Sequence, residues 1–181
     1  MISQKELDLT NFDEKKFVEQ FGGMYEHSPW VAVGVWSEIN HHQKISFESL
    51  INKLRAVVEE ASNDQKLTLL RAHPELAGKA ATEGTLTAES TDEQARARLD
   101  LCSKDEFEKF HQLNSAYNEK FEFPFIMAVR NSTRTEILQA FESRLHNEKP
   151  AEFATAMQQV HLIATLRLEA YAATATGTNK G

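Results

Sequence analysis

The sequence predicts an all-α fold, a single compact domain of about seven or eight helices, and three observations carry that prediction. Glycine and proline are scarce, 7 and 4 of 181 residues, whereas a many-stranded β fold needs turn formers at short intervals. Phe47, Leu50, Ile51, Leu54, Val57, Val58 and Ala61 recur at offsets 0, 3, 4, 7, 10, 11 and 14, which is one face of a helix. Ser90, Ser103 and Thr133 each stand three residues before a glutamate, the spacing of a helix capping box.

The elements follow in chain order. Asn11 is placed to cap a helix running to about Phe21, which Gly22-Gly23 ends. Ser28-Pro29 reads as a cap followed by proline at the first helical position, opening a helix through Trp30 and Val35. The periodic stretch 47–61 comes next, then a short helix over 64–72, because the residue before Pro74 is pushed out of the α region. Residues 76–89, with two glycines and several threonines, read as a loop or loose turn. Ser90 and Ser103 open helices, the second carrying Phe107, Phe110, Leu113, Tyr117 and Phe121. FPFIMAV (123–129) is a buried apolar run, extended around its proline. Thr133 opens a helix with Ile137, Leu138, Phe141 and Leu145, and Pro150 a long one to about Ala173. Residues 1–173 form the domain, and 174–181 a frayed tail.

Twenty basic against 27 acidic residues give a formal net charge of −7, which argues against a nucleic-acid partner. The one cysteine, Cys102, excludes an intrachain disulfide and a zinc site built on several thiolates. No stretch has the length of an apolar membrane helix, and no secretory leader or peroxisomal tail is legible. The expectation is a cytoplasmic protein that touches neither membrane nor nucleic acid. No Gly-rich phosphate loop, G-x-S-x-G elbow or H-E-x-x-H motif occurs, so no metal is expected.

Three residues break their local rules. Phe153, Met157, Val160, Ala164 and Tyr171 form one stripe of the last helix, and Arg167 lies on it. A guanidinium there either snorkels outward or pairs with an internal acid, or it clamps a carboxylate or a planar urea-like group. His73 follows Leu67 and Leu70 on the inward side of its short helix, and Pro74 stops the chain just past it. It is a satisfied structural histidine or a general acid/base. Ser90-x-x-Glu93-Gln94 is a capping box, or its carboxylate works on a ligand. A helix N-terminus favours the ionised form, so a catalytic Glu93 acts as an acceptor or base rather than a strong acid.

YEHSPWVA (25–32), RAHPELAGKAA (71–81), LTAESTDEQ (86–94), LNSAYNEKFEFPFIMAV (113–129) and HLIATLRLEA (161–170) occur in this order. Together they resemble the motifs of the 2-oxo-4-hydroxy-4-carboxy-5-ureidoimidazoline (OHCU) decarboxylase family over roughly residues 12–172. The resemblance implies an all-α, cofactor-free homodimer that converts the last intermediate of urate oxidation to (S)-allantoin and CO2. It implies His73 and Glu93 as catalytic residues, with Pro74, Ser90, Gln94, Phe123, Phe125, Ile126 and Arg167 on the substrate. The pattern is broken by Val33 where an acidic residue is expected, by Arg98, by Glu122 in place of glycine, and by Arg130-Asn131 in place of a Lys-Gly pair. Two rivals remain open: a metal-dependent hydrolase using His27, His41 and His73, and a non-catalytic helical interaction module. A related decarboxylase or hydrolase acting on another small ureide is a further alternative.

Overall fold

The structure is a computed structural model and describes residues 5–39, 41, 43–78, 86–97 and 99–175. Among these, eight α-helices dominate: α1 (Glu14–Phe21), α2 (Trp30–Glu38), α3 (Phe47–Glu60), α4 (Asn63–Arg71), α5 (Ala88–Arg96), α6 (Lys104–Phe121), α7 (Arg134–Arg144) and α8 (Lys149–Ala175). The all-α expectation holds. Added to them are two three-residue 3-10 helices, Leu9–Asn11 and Leu99–Leu101, and a pair of three-residue antiparallel strands, β1 (Glu6–Asp8) and β2 (Lys44–Ser46), with Leu7 opposite Ile45. Strands this short leave no alternating pattern to read. The expected loop falls partly, and the expected tail mostly, outside the described residues. The chain divides into two compact units, residues 1–69 with 161–181, and residues 70–160.

In the first unit, α3 forms as its periodicity requires, capped by Ser46 and burying Phe47, Leu50, Leu54 and Val58. Phe17 and Phe21 of α1 pack 4.8 Å apart, with Trp36 at 5.2 Å from Phe17 and Tyr171 at 5.2 Å from Phe21. Gly34 lets α2 lie close on α3, since a Cβ there would stand 2.8 Å from Cγ1 of Val57. Two expected caps shift. Asp13, not Asn11, caps α1, its carboxylate accepting from Lys16 N–H at 2.8 Å. An ionised side chain at that position also meets the helix dipole, which Asn11 cannot do. Ser28 does not cap α2; its hydroxyl donates to the Glu26 carbonyl at 2.9 Å. His41 stacks on Trp36 at 3.8 Å and bonds the Trp36 carbonyl through Nε2 at 2.7 Å.

In the second unit, the capping boxes at Ser103/Glu106 and Thr133/Glu136 are both present and open α6 and α7. The third expected box is absent. Thr87 caps α5, its hydroxyl accepting from Ser90 N–H at 3.2 Å, so the helix starts three residues early and Glu93 falls in its interior. Thr87 supplies the same oxygen at the same spacing, and either residue satisfies the local rule. The buried row of α6 is Phe110, Asn114, Tyr117 and Phe121. Leu113 is half-buried, and Phe107, in the first turn, remains 36% exposed. Tyr117, Phe125 and Phe141 make the centre of this core, with Phe125 stacked on Phe141 at 3.9 Å.

Glu122 closes α6 in the left-handed conformation, φ 65°, which explains why glycine is expected there. Its side chain is 66% exposed and points to Lys149 at 3.7 Å, away from the apolar segment that follows. Its carbonyl accepts from Arg71 Nε at 2.9 Å. Relief of left-handed strain, on the order of 1 kcal/mol, is partly offset by glycine's freedom in the unfolded chain. Glu122→Gly is therefore expected to leave turnover unchanged and to hold or slightly raise the urea midpoint, measured by circular dichroism.

Candidate active site

The centre of the site is the turn that follows α4. The helix ends at Arg71, and His73 closes it with its N–H on the Leu70 carbonyl at 3.2 Å. Pro74 cannot donate to a further turn, so the chain leaves the helix and the imidazole stays where it is, only 7% exposed. The following residues are pinned from two helices. From α5, the Gln94 amide accepts from Ala77 N–H at 3.1 Å and donates to the Glu75 carbonyl at 3.2 Å. From α6, Asn114 Nδ2 donates to the Leu76 carbonyl at 3.0 Å, and Asn118 Nδ2 donates to Glu75 Oε1 at 2.5 Å. Ala77 takes a positive φ of 48° to complete the turn. A Cβ on Gly78 would lie 2.5 Å from that of Glu75.

Five polar contacts and one bend thus fix the backbone beside a buried imidazole. Glu75, next but one to His73 in sequence, spends its carboxylate on Asn118. Ser90 and Gln94 lie one turn apart on the inward side of α5, both buried, with Glu93 half-buried beside them. Gln94 thus joins α5 to the turn that carries His73 and Pro74, and Ser90 and Glu93 stand on the same helix as Gln94. Gln94 keeps one amide hydrogen and one lone pair beyond those the turn uses. Asn114 and Asn118 are participants that sequence reading missed. Asn114 sits in an otherwise aromatic row, and that misplaced polar residue was the available signal. Its Oδ1 is buried with no partner among the described residues.

Phe123, Phe125 and Ile126 are buried, as expected. Pro124 has no N–H, and the N–H groups of Phe125, Ile126 and Met127 have no partner among the described residues of this unit. The segment therefore carries backbone donors that the described residues of this unit leave unused. A nearby cavity of about 550 Å³ shares Ala77 and Gln94 with the site but is otherwise lined by groups such as Leu99, Cys102 and Phe107. None of His73, Ser90 or Glu93 lines it.

Arg167 belongs to the other unit. It is buried, and Nη2 meets Glu26 Oε2 at 2.7 Å, their side chains 4% and 1% exposed. Nη1 donates to the Gly23 carbonyl at 3.0 Å. The internal acid that sequence reading allowed for is present, and it comes from the YEHSPW motif. Next to it, Tyr25 donates its hydroxyl to His161 Nδ1 at 2.7 Å, and His161 Nε2 donates to Glu59 at 2.9 Å.

Burial holds the His161 imidazole below its ordinary range; Glu59 opposes this, and Arg55 and Lys66 reinforce it. The folded state then binds fewer protons than the unfolded chain, so this contribution to stability is complete above about pH 6.5. It is lost as the pH falls from there towards the lowered value. The wild-type urea midpoint is expected to drop over that interval by more than that of His161→Gln. The difference between the two curves isolates the group.

Among the described residues, no three or more His, Cys, Asp or Glu side chains are grouped to hold a metal ion. His41 is already engaged with Trp36. Comparison with known proteins says to which class of all-α protein the chain belongs. The family model described as OHCU decarboxylase matches residues 10–169. The chain belongs to that family. It is 42% identical over 173 residues to the 2-oxo-4-hydroxy-4-carboxy-5-ureidoimidazoline decarboxylase of Halalkalicoccus jeotgali, covering 96% of this chain and 94% of that one. It is 36% identical to the decarboxylase of the same name from Mus musculus, with 88% of each covered. Among solved structures, it resembles a crystal structure of (S)-allantoin synthase with a TM-score of 0.69 and 32% identity, covering 90% of this chain and 52% of that one. A crystal structure of OHCU decarboxylase in the presence of (S)-allantoin matches at 0.62 and 20% identity, covering 80% of this chain and 91% of that one. That second likeness is one of fold.

Proposed function

We propose that this chain decarboxylates 2-oxo-4-hydroxy-4-carboxy-5-ureidoimidazoline to (S)-allantoin and CO2, with His73 and Glu93 as the catalytic pair. The observation that carries the assignment is the pinned His73 turn: a buried imidazole on a backbone fixed by Gln94, Asn114 and Asn118.

The substrate brings its own electron sink. Its carboxylate is on a carbon next to a C=N bond, and when the C–C bond breaks the electron pair delocalises into that system. CO2 leaves, and one proton is taken up at carbon. The protein's part is orientation and electrostatics. His73 stands beside the departing carboxylate or the hydroxyl and manages its proton. Glu93, aided by Ser90, accepts a hydrogen bond from the substrate hydroxyl; Pro74 and Gln94 border the same group. The backbone of Phe123, Phe125 and Ile126, together with Arg167, grips the ureido or ring carbonyl oxygens. The Glu26–Arg167 pair supports that choice, because a guanidinium already neutralised by a carboxylate suits a neutral carbonyl better than a second anion.

The same reading takes the protein as a cytoplasmic homodimer with a small-molecule substrate and no nucleic-acid partner. The net charge of −7 supports the last point. No helix among the described residues is long and apolar enough to cross a membrane. Light scattering after size exclusion tests the dimer. The activity is tested by adding protein to freshly generated substrate and following optically active allantoin by circular dichroism. Racemic product at the uncatalysed rate would refute the assignment.

A further inference from the structure

The segment 123–129 is held from behind by charges that no motif announced. Glu152, on the first turn of α8, is 0% exposed. Its Oε1 accepts from Arg144 Nε at 2.8 Å, from Arg144 Nη2 at 2.5 Å and from the Tyr117 hydroxyl; its Oε2 accepts from Asn147 Nδ2 at 2.7 Å. The remaining arm of the guanidinium leaves this cluster. Nη1 donates to the Ile126 carbonyl at 2.7 Å, and the group lies 4.4 Å over the Phe125 ring. Two residues on, Ala128 N–H donates to Gln159 Oε1 at 3.0 Å.

Burying a carboxylate and a guanidinium is costly, and an apolar pair of the same volume would often serve stability as well. What the apolar pair could not do is hold the Ile126–Met127 peptide group at a set rotation. The described residues contain no cis peptide bond, so in each of these peptide planes the C=O and N–H point opposite ways. With the Ile126 carbonyl on Arg144, the Met127 N–H is directed away from that helix. With the Ala128 N–H on Gln159, the Met127 carbonyl is directed away from α8. A charged donor on the Ile126 oxygen also polarises that peptide, making the Met127 N–H a stronger donor.

We propose that Arg144, gripped by Glu152, is a positioning residue for the reaction: by tying down the Ile126 carbonyl it sets the orientation of the backbone groups at 125–127 that bind the substrate's ring or ureido amide. Gln159 does the same for the next peptide. The proposal rests on the reading of function above and extends it to four residues, Tyr117, Arg144, Glu152 and Gln159, none of which that reading used.

The test compares wild-type protein with Arg144→Lys, which keeps the charge and loses the fork, and with Gln159→Met, a milder change should the first variant fold poorly. Val58→Ala, in the core of the other unit, serves as a destabilised control. KM and kcat for ureidoimidazoline decarboxylation are measured alongside hydrogen exchange of the amides in 123–128. The expected result is a KM raised about tenfold in Arg144→Lys and about threefold in Gln159→Met, with faster exchange confined to that segment. Val58→Ala is expected to keep the wild-type KM. A wild-type KM in Arg144→Lys or, if that variant does not fold, in Gln159→Met would overturn the anchor while leaving the assigned activity intact. Wild-type protein that fails to turn over the ureidoimidazoline would overturn the assigned activity, and the positioning role with it.

Discussion

Replacing His73 with alanine is expected to lower kcat for decarboxylation by about 10²–10⁴-fold, the usual range for removal of a positioned acid or base, while the protein stays folded. The backbone of the turn is held by Gln94 and Asn114, and the Glu75 carboxylate by Asn118. The imidazole is buried just past the end of α4, and those contacts hold the turn independently of the residue at position 73 being histidine. Glu93→Ala is expected to fall in the same range. Glu93 lies in the interior of α5, which is capped by Thr87, so its removal does not uncap the helix. That point matters for interpretation: had Ser90 and Glu93 formed the capping box, a loss of activity could have followed from fraying. Steady-state rates by circular dichroism, with unfolding curves for each variant, check both. Folded His73→Ala or Glu93→Ala protein turning over at the wild-type rate would remove that residue from the mechanism.

The second large effect concerns Arg167. Arg167→Ala is expected to destabilise the fold by about 3–5 kcal/mol, because it leaves the Glu26 carboxylate buried without its cation. Activity loss in that variant alone would therefore say nothing of catalysis. The informative variant is the double replacement Glu26→Gln with Arg167→Met, which removes both charges together. Replacement of a buried pair by groups of similar volume is often neutral for stability, so the double variant is expected to fold and to have lost most of kcat/KM. Arg167→Lys is expected to keep much of the stability and lose at least tenfold in kcat/KM, since an ammonium cannot make the planar two-point contact. A double variant with wild-type kcat/KM would reduce Arg167 to a structural ion pair.

Glu26 shows where sequence reading stops. Arg167 stood out because it broke an apolar stripe within one helix, a local signal. The sequence could say that such an arginine needs an anion, but not whether a substrate or the protein would supply it. Glu26 stands before α2, far from Arg167 in the sequence. The Arg144–Glu152–Tyr117 cluster was less visible still: Arg144 ends a helix and Glu152 begins one, positions where charged residues are ordinary. The capping boxes at Ser103 and Thr133 were legible because both halves of each lie within one turn. The same rule misassigned Ser90, since Thr87 supplies the capping oxygen three residues earlier without forming a box.

The amphipathic face of α3, the starts of α6 and α7, the break after α4 at His73-Pro74 and the left-handed strain at Glu122 are set by the sequence itself. Each depends on groups within about four residues of one another, where geometry leaves little choice. The tertiary structure decided which buried charges meet, that the amides of Gln94, Asn114 and Asn118 converge on the His73 turn, and that two helices orient the peptide groups of 125–128. Those partners are distant in sequence, and a buried polar group specifies only that it must be satisfied, not by whom.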